Sequence, residues 1–201
     1  MTQRVEIIRR EGLAEGFLRL ARYRLRLLLP GGARILDVQR ECVEGLRAAA
    51  VLPYDPRSGR IVLVEQHRIG ALESAGGGWL HEPPGGRIEE GQTPEATARR
   101  EAMEEAGCRI DTLIPIGLCR TAPGFSDESV ALFCGIADAS CLPAEAGCRE
   151  EGEWTRVVPW DLEAAARGLG RDPLTSATLM VTVQWLVLNR DRLAVRGGGA
   201  P

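Results

Sequence analysis

Four charged residues at helical spacing could do chemistry in this chain: Arg100, Glu101, Glu104 and Glu105. Glu101 and Glu105 stand four apart, so a helix places both carboxylates on one face. Like charges so placed repel unless a cation lies between them. Clustered hard oxygens suit Mg²⁺ or Mn²⁺, not zinc. Arg100 and Glu104 repeat the spacing on a neighbouring face and can pair there. Glu-rich helices are common, and taken alone the spacing fits a solvated acidic helix end equally well.

A helix of the right extent must carry these groups. Thr93-Pro94 reads as an N-cap followed by proline at the first helical position, and Gly107 as the stop, so the helix runs to about Ala106. A glycine loop, Pro83-Pro84-Gly85-Gly86, feeds it, after a loop at Glu73–Gly78 and a short strand at Trp79–Glu82. Ala48–Pro53 and Arg60–Gln66 flank the turn-rich Asp55-Pro56-Arg57-Ser58-Gly59, a hairpin signal. Further strands are expected at Leu113–Arg120, Val130–Ala137 and Trp154–Val158. A short helix is expected at Asp161–Arg167, and a last one opened by Asp172-Pro173 and ending near Arg190. The mixture predicts an α/β fold. Residues 4–45 read differently, as strands at Val5–Arg9, Phe17–Leu29 and Arg34–Val43. Gly12, Gly16 and Pro30-Gly31-Gly32 punctuate them, and Tyr23, Leu25 and Leu27 alternate with Arg22, Arg24 and Arg26. So small a meander should pack on the rest of the chain or on a partner subunit. The expected organisation is a β domain at 1–47, a catalytic domain at 48–196 and a disordered tail at 197–201.

The totals narrow the chemistry. The chain has 201 residues, and all 25 of its basic residues are arginine. With no lysine, Schiff-base chemistry and the phosphate-binding lysines of P-loops and kinases are excluded. The net charge of −3 argues against a nucleic-acid partner. The apolar runs, Leu27–Leu29 and the interrupted Leu179–Leu188 among them, fall short of the ~20 residues a membrane span needs. The charged Met1–Arg10 lacks a signal-peptide stretch, so a cytoplasmic protein without membrane association is expected. Six cysteines without a CxxC pair, and two histidines, argue against zinc; the cysteines read as reduced apolar filler.

Residues 86–108, GRIEEGQTPEATARREAMEEAGC, resemble the Nudix box G-x5-E-x7-R-E-U-x-E-E-x-G-U, where U is bulky and apolar. Gly86, Arg100, Glu101, Glu104, Glu105 and Gly107 fall in register. Ala102 and Cys108 fill the apolar slots and are small for them, and Gln92 replaces the first glutamate. That departure leads us to expect weakened metal affinity or a shifted metal preference, and it is what keeps a non-catalytic reading open. The wider chain resembles the bacterial ADP-ribose pyrophosphatases of the Nudix superfamily. Pro123 lies sixteen residues after Gly107, the spacing that marks this group. Arg10–Leu13, Gly16–Leu18, Val64–Ile69, Trp79–Glu82, Glu150–Glu153 and Val183–Leu186 resemble those enzymes too.

The resemblance implies a Nudix α/β/α sandwich with a small N-terminal antiparallel β domain exchanged across a homodimer. It implies Mg²⁺, with Mn²⁺ as a substitute, held by Glu101, Glu105 and the Gly85 carbonyl, with Glu104 completing or orienting the cluster. Glu151 or Glu153 would be the base that activates water, the other helping to bind metal. Arg68 and Arg40 would contact the diphosphate or terminal ribose, Phe17 of the partner would stack on adenine, and Glu82 would support the substrate. Arg40 could equally be a surface residue of its strand, and Phe17 part of the small domain's core. The implied reaction is hydrolysis of ADP-ribose to AMP and ribose 5-phosphate. Two alternatives stand beside it: a pyrophosphatase for another nucleoside diphosphate sugar such as GDP-mannose, and a non-catalytic ADP-ribose-binding regulator.

Overall fold

The computed structural model describes residues 4–29, 35–148, 152 and 154–194. The expected tail at 197–201 lies outside them. The chain divides into two compact units, Met1–Arg47 with Arg120–Ser129, and Ala48–Cys119 with Val130–Pro201.

In the first unit, β1 (Val5–Glu15), β2 (Arg19–Leu28) and β3 (Ile35–Glu44) form an antiparallel sheet in that order. Alternation gives it two unlike faces. Val5, Leu27 and Leu36 form one cross-strand row, and Ile7, Leu25 and Val38 the next. The opposite face carries the rows Glu6, Arg26, Asp37 and Glu11, Arg22, Glu41, with ion pairs from Arg26 to Glu6 and Asp37 and from Arg22 to Glu41. Val5, Ile7, Ile35 and Leu36 are exposed. Gly12 does not end a strand as the sequence suggested. It lies within β1 at a register irregularity, where a bulge tolerates glycine. Segment 120–129 joins this unit through Asp127, whose carboxylate accepts from the Gly45 and Leu46 amides at 2.9 and 3.2 Å.

The second unit is built on an eight-stranded sheet. Its strands are β4 (Arg47–Asp55), β5 (Arg60–His67), β6 (Trp79–Glu82), β7 (Gly85–Arg87), β8 (Ile110–Cys119), β9 (Ser129–Ala137), β10 (Glu145–Ala146) and β11 (Thr155–Asp161). The order is β10-β11-β5-β4-β9-β8, with β6 on β5 and β7 on β4. Ile61, Val62, Leu63 and Val64 of β5 are all fully buried, the unbroken apolar run of a strand covered on both faces. Val62 and Val64 pack with Ala98, Ala102 and Ala106 of α1 (Pro94–Ala106). Ile61 and Leu63 pack with residues of α2 (Leu162–Gly168) and α3 (Ala177–Ala194). Each such side chain contributes about 1.5–3 kcal/mol by burial, so a polar residue at either parity would weaken the packing of one helical layer by about that amount. This is the α/β/α sandwich.

Local sequence sets α1. The Thr93 side chain accepts from the Ala96 amide at 3.1 Å, Pro94 opens the helix, and Gly107 ends it in the left-handed conformation at φ 58°. Two further expectations fail. Gly85–Arg87 is strand, not loop, because it pairs with the small Ala48, Ala49 and Ala50 of β4. The last helix opens at Ala177, not at Asp172-Pro173. Asp172 instead accepts from the Ala75 amide at 3.0 Å, and the Pro173 carbonyl from the His81 amide at 3.0 Å.

Candidate active site

One face of α1 meets the sheet along two stripes. Ala98, Ala102 and Ala106 bring the backbone close, and Thr97, Glu101 and Glu105 lie beside them. The small residue at 102 thus serves close approach. Glu101 is 6% exposed and Glu105 3%. Under them runs β7. A Cβ on Gly86 would stand 2.1 Å from Glu101 Oε1, so any side chain there would push the Glu101 carboxylate aside. The Gly85 N–H donates to Glu105 Oε2 at 2.8 Å.

Arg100 spans two carboxylates, donating from Nη2 to Glu101 Oε1 at 2.8 Å and from Nη1 to Glu104 Oε2 at 2.5 Å. Its Nε is buried without a hydrogen-bond partner. The pairing read from the sequence is therefore present and extends to Glu101. Glu104 sits on the more open side, 43% exposed.

Two buried carboxylates one turn apart are costly unless cations compensate them. Arg100 supplies one positive charge. The oxygen donors of Glu101 and Glu105 fit a hard divalent ion. Among the described residues, no three His, Cys, Asp or Glu side chains form a metal-holding group. Glu151 and Glu153, named above as base and metal ligand, lie outside the described residues, as does Glu150.

Arg68 and Glu82, separate candidates in the sequence, form an ion pair at 2.6 Å. On the other face of β5 Glu65 accepts two bonds from Arg156, each 2.7 Å, and lies 3.3 Å from His81 Nε2. The Arg156 guanidinium holds the Glu65 carboxyl below its usual range, and burial pushes the His81 imidazole down. Phe17, Arg40 and Pro123 all fall in the first unit. Phe17 is 83% exposed in the turn between β1 and β2, Arg40 lies on β3 opposite Tyr23, and Pro123 is exposed.

Sequence reasoning missed a cleft of about 550 Å³ lined by Glu65, Gly76, Trp79, Trp154, Asp172 and Pro173. Trp79 meets both His67 and Trp154 edge-on, with centroids 5.7 Å apart. Glu65 has the parity of Ile61 and Leu63, so this cleft opens on the α3 side and not beside Glu101 and Glu105. Its one sequence signal was two tryptophans in a chain that is 4% aromatic.

The profile of the NUDIX domain family matches residues 45–168. The chain belongs to the Nudix family. It is 37% identical over 189 residues to an ADP-ribose pyrophosphatase of Escherichia coli K12, covering 94% of this chain and 90% of that one. To the ADP-ribose pyrophosphatase of Bacillus subtilis it is 33% identical over 150 residues, 75% of this chain and 77% of the relative. To a GDP-mannose pyrophosphatase of Yersinia pestis it is 31% identical over 134 residues, 66% and 67% of the two chains. A crystal structure of an ADP compounds hydrolase superposes with TM-score 0.69 over 93% of this chain and 96% of that one, at 18% identity, which speaks to the Nudix fold.

Proposed function

We propose that this Nudix chain is a Mg²⁺-dependent pyrophosphatase that hydrolyses ADP-ribose to AMP and ribose 5-phosphate. The observation that carries the reading is the likeness to an ADP-ribose pyrophosphatase over 94% of the chain, which reaches well beyond residues 45–168 into the N-terminal sheet.

Glu101 and Glu105 would hold the ion, with Glu104, the Gly85 carbonyl and Glu153 as further oxygen donors. When bound, Mg²⁺ or Mn²⁺ would neutralise the diphosphate oxygens and orient water. The protein's own groups do the rest. Arg100 fixes the directions of Glu101 and Glu104, and the Gly85 amide fixes Glu105. Glu151 or Glu153 takes the proton from the attacking water. The water oxygen bonds to one phosphorus as the bridging P–O bond breaks, and the departing phosphate carries away the electron pair. Arg68, steadied by Glu82, and Arg40 contact the diphosphate or ribose, Phe17 stacks on adenine, and Pro123 lines the substrate side. The exposed apolar rows of the N-terminal sheet support a homodimer in which that domain is exchanged. Among the described residues no helix is long and apolar enough to cross a membrane; we place the enzyme in the cytoplasm.

The test is product analysis on ADP-ribose, GDP-mannose, ADP-glucose and NADH, with and without EDTA. AMP release from ADP-ribose that EDTA abolishes is the expected result. No turnover of ADP-ribose beside strong turnover of GDP-mannose would favour the second reading, which the Yersinia pestis relative supports over two thirds of the chain. Tight ADP-ribose binding without AMP release at millimolar metal would establish a regulator instead.

A further inference from the structure

The last turn of a helix leaves carbonyls without partners inside it. At the end of α1 the Met103 carbonyl accepts from the Gly107 amide and the Ala102 carbonyl from the Cys108 amide, both at 2.9 Å. The next two carbonyls belong to Glu104 and Glu105 and are met from elsewhere. The Gly147 amide, just after β10, donates to the Glu104 carbonyl at 2.8 Å. The Thr155 hydroxyl, at the start of β11, donates to the Glu105 carbonyl at 2.6 Å. Thr155 is 1% exposed, so water cannot replace that donor. Glu105 is thus gripped twice: β11 holds its main chain, and the Gly85 amide of β7 holds its carboxylate.

We propose that Thr155 is a positioning residue of the hydrolytic site, acting through Glu105. The proposal rests on the pyrophosphatase reading above. A glutamate has three side-chain torsions, so its carboxylate is only as well placed as the backbone it grows from. Without the Thr155 hydroxyl, the last turn of α1 must find another donor or shift. Either change moves the Glu105 carboxylate relative to Glu101. The Gly147 bond holds the preceding residue by the same means, so the β10–β11 hairpin caps the helix at the two glutamates that matter. A Thr155 that only filled the core would affect stability and leave turnover alone.

The test uses the full chain as Thr155→Val, which keeps the shape and removes the donor, and Thr155→Ser, which keeps the donor. Three measurements are made: the kinetics on ADP-ribose at saturating Mg²⁺, giving kcat and KM; Mn²⁺ binding followed by the electron paramagnetic resonance of the free ion; and amide exchange of residues 101–107. Thr155→Val should lower kcat on the order of 10- to 100-fold with KM within about twofold, because a small misplacement of a catalytic group costs this much. It should also weaken Mn²⁺ binding and speed exchange in the last turn of α1, and Thr155→Ser should restore all three. If Thr155→Val does not fold, Thr155→Ala reads the same quantities. Wild-type kcat and Mn²⁺ binding in a folded, donor-free variant would overturn the proposal, as would a serine variant no better than valine. A wild-type protein that neither binds Mn²⁺ nor releases AMP would instead overturn the pyrophosphatase reading, and the proposal with it.

Discussion

Gln92 stands where the Nudix box has a glutamate, and the structure gives it a use that needs an amide. Its Oε1 accepts from Thr97 Oγ1 at 3.1 Å, and its Nε2 donates to Glu89 Oε2 at 2.7 Å. Its backbone amide also donates to the Glu89 carbonyl at 3.1 Å. Thr97 is fully buried, on the stripe of α1 that carries Glu101 and Glu105. Gln92 therefore ties the loop before α1 to the first turn of the helix. Gln92→Glu keeps the acceptor for Thr97 but turns a carboxylate towards Glu89. The lost hydrogen bond costs about 0.5–1.5 kcal/mol. Two unit charges near 4 Å in water add about 1 kcal/mol of repulsion. Glu89 is exposed and can swing away, which relieves part of that. A net loss of about 1–2 kcal/mol follows, and at roughly 2–4 °C per kcal/mol for a domain of this size the melting temperature should fall by roughly 2–8 °C. Thermal melts of Gln92→Glu, Glu89→Gln and the double variant form a cycle. The double variant should recover most of the loss, because it exchanges the two groups and leaves an amide facing a carboxylate again. Mn²⁺ affinity should stay within about twofold, since neither end of the Gln92 side chain is offered to the Glu101–Glu105 pair. A Gln92→Glu protein that melts at or above wild type, with Glu89→Gln recovering nothing, would refute the clamp. Tenfold tighter Mn²⁺ binding by the same variant would show that position 92 belongs with the metal ligands.

Glu105→Gln should lower kcat by about 10²-fold or more, the usual cost of removing one electrostatic stabiliser, while circular dichroism stays that of the wild type. Gly86→Ala forces a Cβ to 2.1 Å from Glu101 Oε1 and should abolish most activity, whereas Gly70→Ala, with nothing within 4 Å, should leave it unchanged in the same assay. Burial pushes the thiols of Cys108 and Cys134 up to about 11 and about 12, so Ellman's reagent at pH 8 should spare both until the protein is unfolded. His81 is held neutral by burial, so the unfolded chain binds its proton first; stability should fall as pH drops below about 6.5, and His81→Gln should flatten that slope in melts between pH 7 and 5. Glu65, held low by Arg156, has the same sign at more acid pH: its contribution is present above the ordinary carboxylate range and is lost as pH falls through its lowered value.

What the sequence told and withheld follows from how local each cause is. The limits of α1 are written in Thr93, Pro94 and Gly107, each acting within one turn, and the structure places the helix at Pro94–Ala106. β5 was legible from the turn residues Asp55–Gly59 that precede it. β7 was not, because Gly85-Gly86-Arg87 has no strand pattern; three alanines of β4, about forty residues earlier, impose that state. Asp172-Pro173 has the local form of a helix start, yet Asp172 is drawn to the Ala75 amide, nearly a hundred residues away. The site divides in the same way. Spacing alone put Glu101 and Glu105 on one face and paired Arg100 with Glu104. The groups that hold them still, the Gly85 amide and the Thr155 hydroxyl, lie on other strands and leave no periodic trace.

Arginine alone supplies the side-chain cations here, and the geometry at α1 shows what that permits. A guanidinium carries its charge on a planar fork, so Arg100 reaches Glu101 with one nitrogen and Glu104 with another. A lysine ammonium could also bridge two carboxylates, but as a point charge with rotatable donors it would not fix their directions. Arg156 uses the same fork to fix both oxygens of Glu65. In each case the carboxylate gains a direction as well as a counter-charge. At the helix the consequence is quantitative. Arg100 offsets one of the three carboxylates at 101, 104 and 105, so the four residues together keep a formal charge of −2. That remainder equals one divalent cation, and it is concentrated where two of the three carboxylates are buried. Arg100 therefore orients Glu101 and Glu104 while offsetting only one of the three carboxylate charges, which is the arrangement a divalent cation would require of it.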